Sequence, residues 1–220
     1  PPDSMGSPYS SPSGFAFNPW FLDENDLLSE GFLSNNKEHT FTKIKTLNQR
    51  VDFQLADLKV KFLSASLVES WEKQNTSIKE EFQRWCGKQF WLEDHSAFME
   101  LRIQNNNLPW WEWPDRFANY NKEELAAWKK RNQKELLGHN LIQWHLDRQW
   151  KLIRKLAKNL GISLFGDLPF YVSKDSADVW SNRSLFSILS NSDTYLQGGV
   201  PPDYFSETGQ LWGNPVYRWS

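Results

Sequence analysis

The stretch ISLFGDLPFYV (Ile162–Val172) decides how the chain folds, because it follows the longest helical pattern in the sequence. Ile162–Phe165 is a short apolar run directly after a helix, the pattern of a strand buried on both faces. Gly166 and Asp167 stand at its end. Helix, buried strand and then an acidic residue make one unit of a parallel α/β fold. In barrels of that type the C-terminal end of the strand faces the active site. One such unit fits a barrel or an open sheet equally.

Upstream, Ile142, Leu146, Trp150, Ile153, Leu156 and Leu160 recur at three and four residues and predict a long amphipathic helix from about Asn140. Gly161 is a natural residue to end it. Asn121 with Glu124 opens another helix, and Ser77 with Glu80 reads as a capping box ahead of Ile78, Phe82, Trp85 and Cys86. A further helix covers Leu92–Ile103 and is broken by LPWWEWP (Leu108–Pro114). Residues 1–19 read as loop, since SPYSSPSGFAFNP carries Pro and Gly at turn spacing. PWFLDENDLLSEGFL then gives a strand or turn followed by a helical turn. Residues 35–65 carry no assignable pattern.

Composition narrows the function. A net charge of -2 over 220 residues argues against a general binder of phosphate backbones, so no nucleic-acid partner is expected. The single cysteine, Cys86, allows no internal disulfide and fits a reducing compartment. No apolar run reaches the ~18 residues of a membrane span, so no membrane partner is expected, and no secretory signal is visible. The chain opens PPDSMG with Met5 internal and reads as a piece of a longer protein. Its unusual feature is 13 tryptophans, many in Pro- and Gly-rich surroundings where a flat ring can stack on a ligand.

Each candidate for chemistry has a plain structural alternative. Asp167 is either a carboxylate at a barrel mouth or the start of the turn before Pro169. Asp175 and Asp178 fit a helix start better than an acid/base pair, with Asp175 as N-cap and Asp178 in the first turn. Asp203 and Glu207 lie between Pro202 and Gly209, so their spacing fixes no geometry. A glycosidic-bond enzyme needs its carboxylates ~5–5.5 Å apart to retain configuration and ~6.5–9.5 Å to invert it. Tyr9, Tyr204, Phe205, Trp212, Tyr217 and Trp219 are loop aromatics. With Ser7, Gln210 and Asn214 they suit a sugar, which has apolar C–H faces and hydroxyl rims. Tyr217 and Trp219 read rather as core anchors, and PWWEW (Pro109–Trp113) as a hydrophobic clamp between helices. No metal site is expected: His39, His95, His139 and His145 form no i,i+4 pair. No phosphate-binding glycine loop is present, and no cofactor is expected. GISLFG is not a nucleophile elbow, its second Gly being one residue too far. Asn75-Thr76-Ser77 and Asn182-Arg183-Ser184 match the glycosylation acceptor, a triplet that often arises by chance.

Four stretches together resemble the 4-α-glucanotransferase family, also called amylomaltase or disproportionating enzyme: SPYSSPSGFAFNP, WWEWP, GDLPFYVSKDSADVW and GGVPPDYFSETGQLWGNPVYRW. Phe17 departs from the glycine usual in the family before Asn-Pro. The resemblance implies an α/β fold, part of a (β/α)8 TIM barrel with a mostly helical inserted subdomain. It implies a barrel loop over 1–34, the insertion over 35–139, and a barrel helix, strand and lid loop over 140–220. The implied reaction is retaining transfer of α-1,4-glucan segments between maltooligosaccharides. Starch- or glycogen-derived glucans are the implied donors and glucose an acceptor. The implied setting is the cytoplasm or a plastid. The implied substrate-binding residues are Ser7 and Tyr9 of the Ser-Pro-Tyr loop, Asp167 after the third barrel strand, and Asp203, Phe205, Gln210 and Trp212 of a flexible lid. Gly198, Gly199, Gly209 and Gly213 would let that lid bend. The family's three catalytic carboxylates follow later strands, so none is expected within this chain, and the 220 residues alone are expected to be inactive. A non-catalytic α-glucan-binding module is the alternative.

Overall fold

A computed structural model describes residues 7, 10–33, 51–167 and 170–219. They form eight α-helices, short 3-10 turns and one two-stranded antiparallel sheet, arranged in two compact units that alternate along the sequence.

One unit comprises Phe17–Phe90 and Lys134–Gly166. It holds α1 (Glu24–Ser29), α2 (Phe53–Trp71), α3 (Thr76–Cys86) and nearly all of α7 (Gln133–Asn159). Its centre is Trp144, only 1% exposed, with Phe32, Trp71 and Phe82 packed edge-on around it. Helices α2 and α7 meet closely at Gly138, where a Cβ would fall 2.2 Å from Ser64 Oγ. Two glutamines of α7 hold the segment before α1. Gln143 accepts from Phe17 N–H and donates to Phe17 C=O, and Gln149 does the same at Asp23. Each pair satisfies one donor and one acceptor of an irregular segment.

The other unit comprises Pro1–Ala16, Trp91–Gln133 and Asp167–Ser220. It holds α4 (Leu92–Gln104), α5 (Asp115–Ala118), α6 (Lys122–Arg131) and α8 (Ala177–Ser181). Its sheet pairs β1 (Gln197–Val200) with β2 (Gln210–Pro215). Trp180, fully buried, is ringed by Phe98, Trp113 and Tyr120, and its indole N–H donates to Phe117 C=O. A buried indole needs such a partner.

Several helix ends match the sequence reading. Asn121 caps α6 through Glu123 and Glu124 N–H, α4 begins at Leu92, and Gly161 after α7 sits at φ +69°. Others correct it. Asn75 rather than Ser77 caps α3, its side chain accepting from Ile78 N–H. Ser176 rather than Asp175 caps α8, because the Asp175 carboxylate is drawn to Arg102 and Trp110 N–H. The expected strand Ile162–Phe165 is irregular and exposed, Phe165 fully so. A strand buried on both faces needs neighbours on both edges, and among the described residues none pairs with it. The apolar stripe of α7 divides likewise: Ile142 and Leu146 are buried, whereas Ile153, Leu156 and Leu160 are exposed.

Candidate functional site

The aromatic residues picked out near the C-terminus stand on a hairpin whose base is tied down and whose tip is exposed. At the base, Ser187 N–H donates to Val216 C=O, Val216 N–H to Leu196 C=O, and Arg218 to the carbonyls of Leu185 and Ile188. Tyr217 bridges to Phe186, a buried residue, with ring centroids 4.8 Å apart. Tyr217 is therefore the anchor the sequence suggested. Trp219 is 85% exposed and is not one.

Between the strands, three glycines permit close approach of chain to chain. A Cβ on Gly199 would lie 2.3 Å from Gln210 C=O, and one on Gly209 2.6 Å from Val200 C=O. A Cβ on Gly198 would lie 3.0 Å from the Tyr171 ring. Such contacts with backbone leave no room for any side chain. Gly213, at φ +76°, meets nothing within 4 Å and accompanies the irregular register of β2.

The tip folds on itself. Asp203 Oδ1 accepts from Phe205 N–H at 2.9 Å and Ser206 N–H at 2.8 Å, an Asx turn that fixes the backbone of Phe205. Ser206 Oγ donates to Gly209 C=O at 2.6 Å. Tyr204 and Phe205, 97% and 88% exposed, project from this turn and meet edge to face. On β2, Trp212 donates its indole N–H to Gln210 Oε1 at 3.0 Å. The two side chains, two residues apart, share a strand face. Tyr171 stands against Trp212, centroids 6.1 Å apart. The result is a half-exposed indole with an oriented amide beside it and a tyrosine behind it, the parts needed to stack one ring face and bond its hydroxyl edge.

The hairpin thus carries two contacting pairs, Asp203 with Phe205 at its tip and Gln210 with Trp212 on β2. Ser7 is half-buried elsewhere in the same unit, and Asp167 is exposed in irregular backbone. Tyr9 lies outside the described residues. A cavity of about 480 Å³ in the other unit, lined by Phe17, Phe21, Asp26, Trp150 and Ile153 among others, includes none of these residues. Sequence reasoning missed Tyr171, whose only signal was an aromatic after Pro169 in the expected strand exit.

The carboxylates nearby serve structure. Burial pushes Asp175 up, against the Arg102 guanidinium and Trp110 N–H that pull it down. Burial also raises Asp178, against Gly14 N–H. Trp110 and Trp113 of PWWEW are buried, Trp113 packing on Phe98 of α4 and Trp180 of α8 as a clamp between helices does, and they donate to Lys174 and Leu108 C=O. Lys174 and Arg183 lie over the Trp111 and Trp110 rings at 4.1 and 4.3 Å. Among the described residues no group of His, Cys, Asp and Glu could hold a metal ion. No helix there is long and apolar enough to cross a membrane.

A family model described as 4-alpha-glucanotransferase matches residues 1–220. A 4-alpha-glucanotransferase of Synechocystis sp. is 38% identical over 97% of the chain, and that of Thermus thermophilus 36% over 97%. A chloroplastic/amyloplastic 4-alpha-glucanotransferase of Solanum tuberosum is 33% identical over 97% of the chain. Among solved structures, an amylomaltase from Streptococcus agalactiae in complex with acarbose matches the whole chain at a TM-score of 0.89 and 28% identity. The chain spans 42% of the Synechocystis and Thermus proteins, 37% of the potato protein and 44% of the Streptococcus chain.

Proposed function

The chain belongs to the 4-alpha-glucanotransferase family, and from that premise we propose that it supplies the glucan grip of an enzyme transferring α-1,4-glucan segments between maltooligosaccharides. The observation that carries this reading is the Gln210–Trp212 pair on its anchored hairpin. The indole face takes the C–H face of a glucose ring, and the amide fixes a hydroxyl. Phe205, held out by the Asp203 turn, offers a second apolar face. The acarbose complex of the similar amylomaltase supports a sugar ligand for this fold.

The reaction is a retaining double displacement. A carboxylate attacks the anomeric carbon and displaces the reducing-end fragment, protonated by a second carboxyl group acting as acid. That group, now a base, takes the proton from the 4-hydroxyl of an incoming glucan or glucose, which displaces the enzyme carboxylate. Transfer outruns hydrolysis when the site excludes water while the acceptor enters. Tyr204, Phe205 and Trp212 place apolar surface at that acceptor side, with Asp167, Ser7 and Tyr9 completing the sugar contacts. In this reading the reacting carboxylates lie in the part of the enzyme these 220 residues do not cover, as the resemblance implies; Asp175 and Asp178, engaged with Arg102 and Gly14, are structural. The protein as a whole is a (β/α)8 barrel carrying a helical insertion over 35–139, working in the cytoplasm or a plastid.

Incubating the 220-residue chain with maltotriose tests this, with thin-layer chromatography for products and calorimetry for binding. Binding without release of glucose is expected. Glucose and longer oligosaccharides would move the reacting carboxylates into the chain. No binding would remove the grip.

A further inference from the structure

The loop following the Ser7 segment is held by one side chain that the proposed chemistry does not use. We propose that Asp178 is a positioning residue, pinning the loop Ser11–Ala16 onto α8 and so setting where Ser7 meets glucan. This inference rests on the glucan reading above.

The loop is a small self-bonded body. Ser11 Oγ donates to Ser13 C=O at 2.6 Å, and Ser13 Oγ accepts from Phe15 N–H at 3.1 Å and Ala16 N–H at 3.2 Å. A body built that way is placed by few outside bonds. Gly14 N–H donates to Asp178 Oδ2 at 3.0 Å. Ala177 N–H donates to Pro12 C=O at 2.9 Å. The backbone bond from Ala177 alone sets a distance; the carboxylate adds the second point that fixes orientation.

The platform under the pin is rigid. Ser176, Val179 and Trp180 are fully buried, Ser176 Oγ caps Val179 N–H, and Trp180 is bonded to Phe117. Asp178 is also close enough to the hairpin base for its charge to add to burial in raising the Tyr217 phenol. The half-buried Asp178 carboxylate thus ties the N-terminal loop to α8. Its helix-start position accounts for Asp178 in the first turn of α8, but a surface aspartate would serve that purpose without reaching Gly14.

Two variants of the whole chain test the pin by amide hydrogen exchange, with maltotriose affinity measured on the same samples. Asp178→Ala removes the acceptor; Asp178→Asn keeps an oxygen for Gly14 N–H. Exchange at Gly14 is expected to quicken about tenfold or more in the alanine variant and to return near the original rate in the asparagine variant. Maltotriose affinity is expected to fall and return in step. Unchanged exchange at Gly14 in the alanine variant, or a freed loop with unchanged affinity, overturns the proposal. If the alanine variant unfolds, a folded asparagine variant with a protected Gly14 supports the pin and one with a freed loop overturns it. If the original chain fails to bind maltotriose, the glucan reading falls, while Gly14 exchange still decides whether Asp178 holds the loop.

Discussion

Acid should weaken this chain through one buried imidazole. His145 on α7 is 1% exposed, wedged against Phe32 and Trp144 with ring centroids 4.4 and 4.7 Å away. Its Nε2 is buried without a hydrogen-bond partner among the described residues, and Arg148 approaches its Nδ1 at 3.4 Å. Burial first, and the Arg148 charge second, lower its pKa from 6.5 to about 3. The folded chain therefore refuses a proton that the unfolded chain accepts. The stability is fully present above pH 6.5 and drains away as pH falls towards 3. The slope is about 1.4 kcal/mol per pH unit, which gives roughly 2 kcal/mol lost between pH 7 and pH 5. Asp175 and Asp178, raised by burial, act in the opposite sense as they protonate. Comparison with His145→Gln cancels them, because glutamine does not titrate. Urea unfolding of both proteins at pH 7, 6 and 5 should show the histidine protein losing the larger share. Parallel stability profiles would refute the reasoning.

Three further outcomes follow from the geometry. Gly199→Ala puts a methyl into Gln210 C=O, so amide exchange at Val200 and Leu211 should rise while the thermal midpoint of the helical part holds. Asp175→Ala leaves the Arg102 charge and Trp110 N–H unpaired and should cost about 3 kcal/mol by urea unfolding; the double change Arg102→Met with Asp175→Leu should recover most of it. Asp203→Ala removes the Asx turn and should leave β1–β2 pairing intact while weakening maltotriose binding through a loosened Phe205.

Legibility followed the range of the interaction. Asn121 caps α6 through neighbours two and three residues away, so its role could be read from sequence. The α7 stripe gave a helix but not which half is buried, because only packing on Phe32, Trp71 and Phe82 decides that. Helix α2 showed no stripe: its buried residues are only Leu63, Ser66 and Leu67, and its clearest signal was the Asp52 cap. Asp175 was misplaced as a cap because its partners Arg102 and Trp110 lie more than sixty residues away. At the hairpin, residue types were enough to suggest a sugar. The Gln210–Trp212 bond, the backing by Tyr171 and the pin at Asp178 depend on pairing register and on distant loops, which residue types do not encode.

The central claim is that the hairpin grips glucan through Trp212. Calorimetric titration of the chain and of Trp212→Ala with maltotriose tests it most directly. The chain is expected to bind, with an affinity about tenfold or more lower without the indole, at unchanged thermal stability. Equal affinity for the two proteins would contradict it.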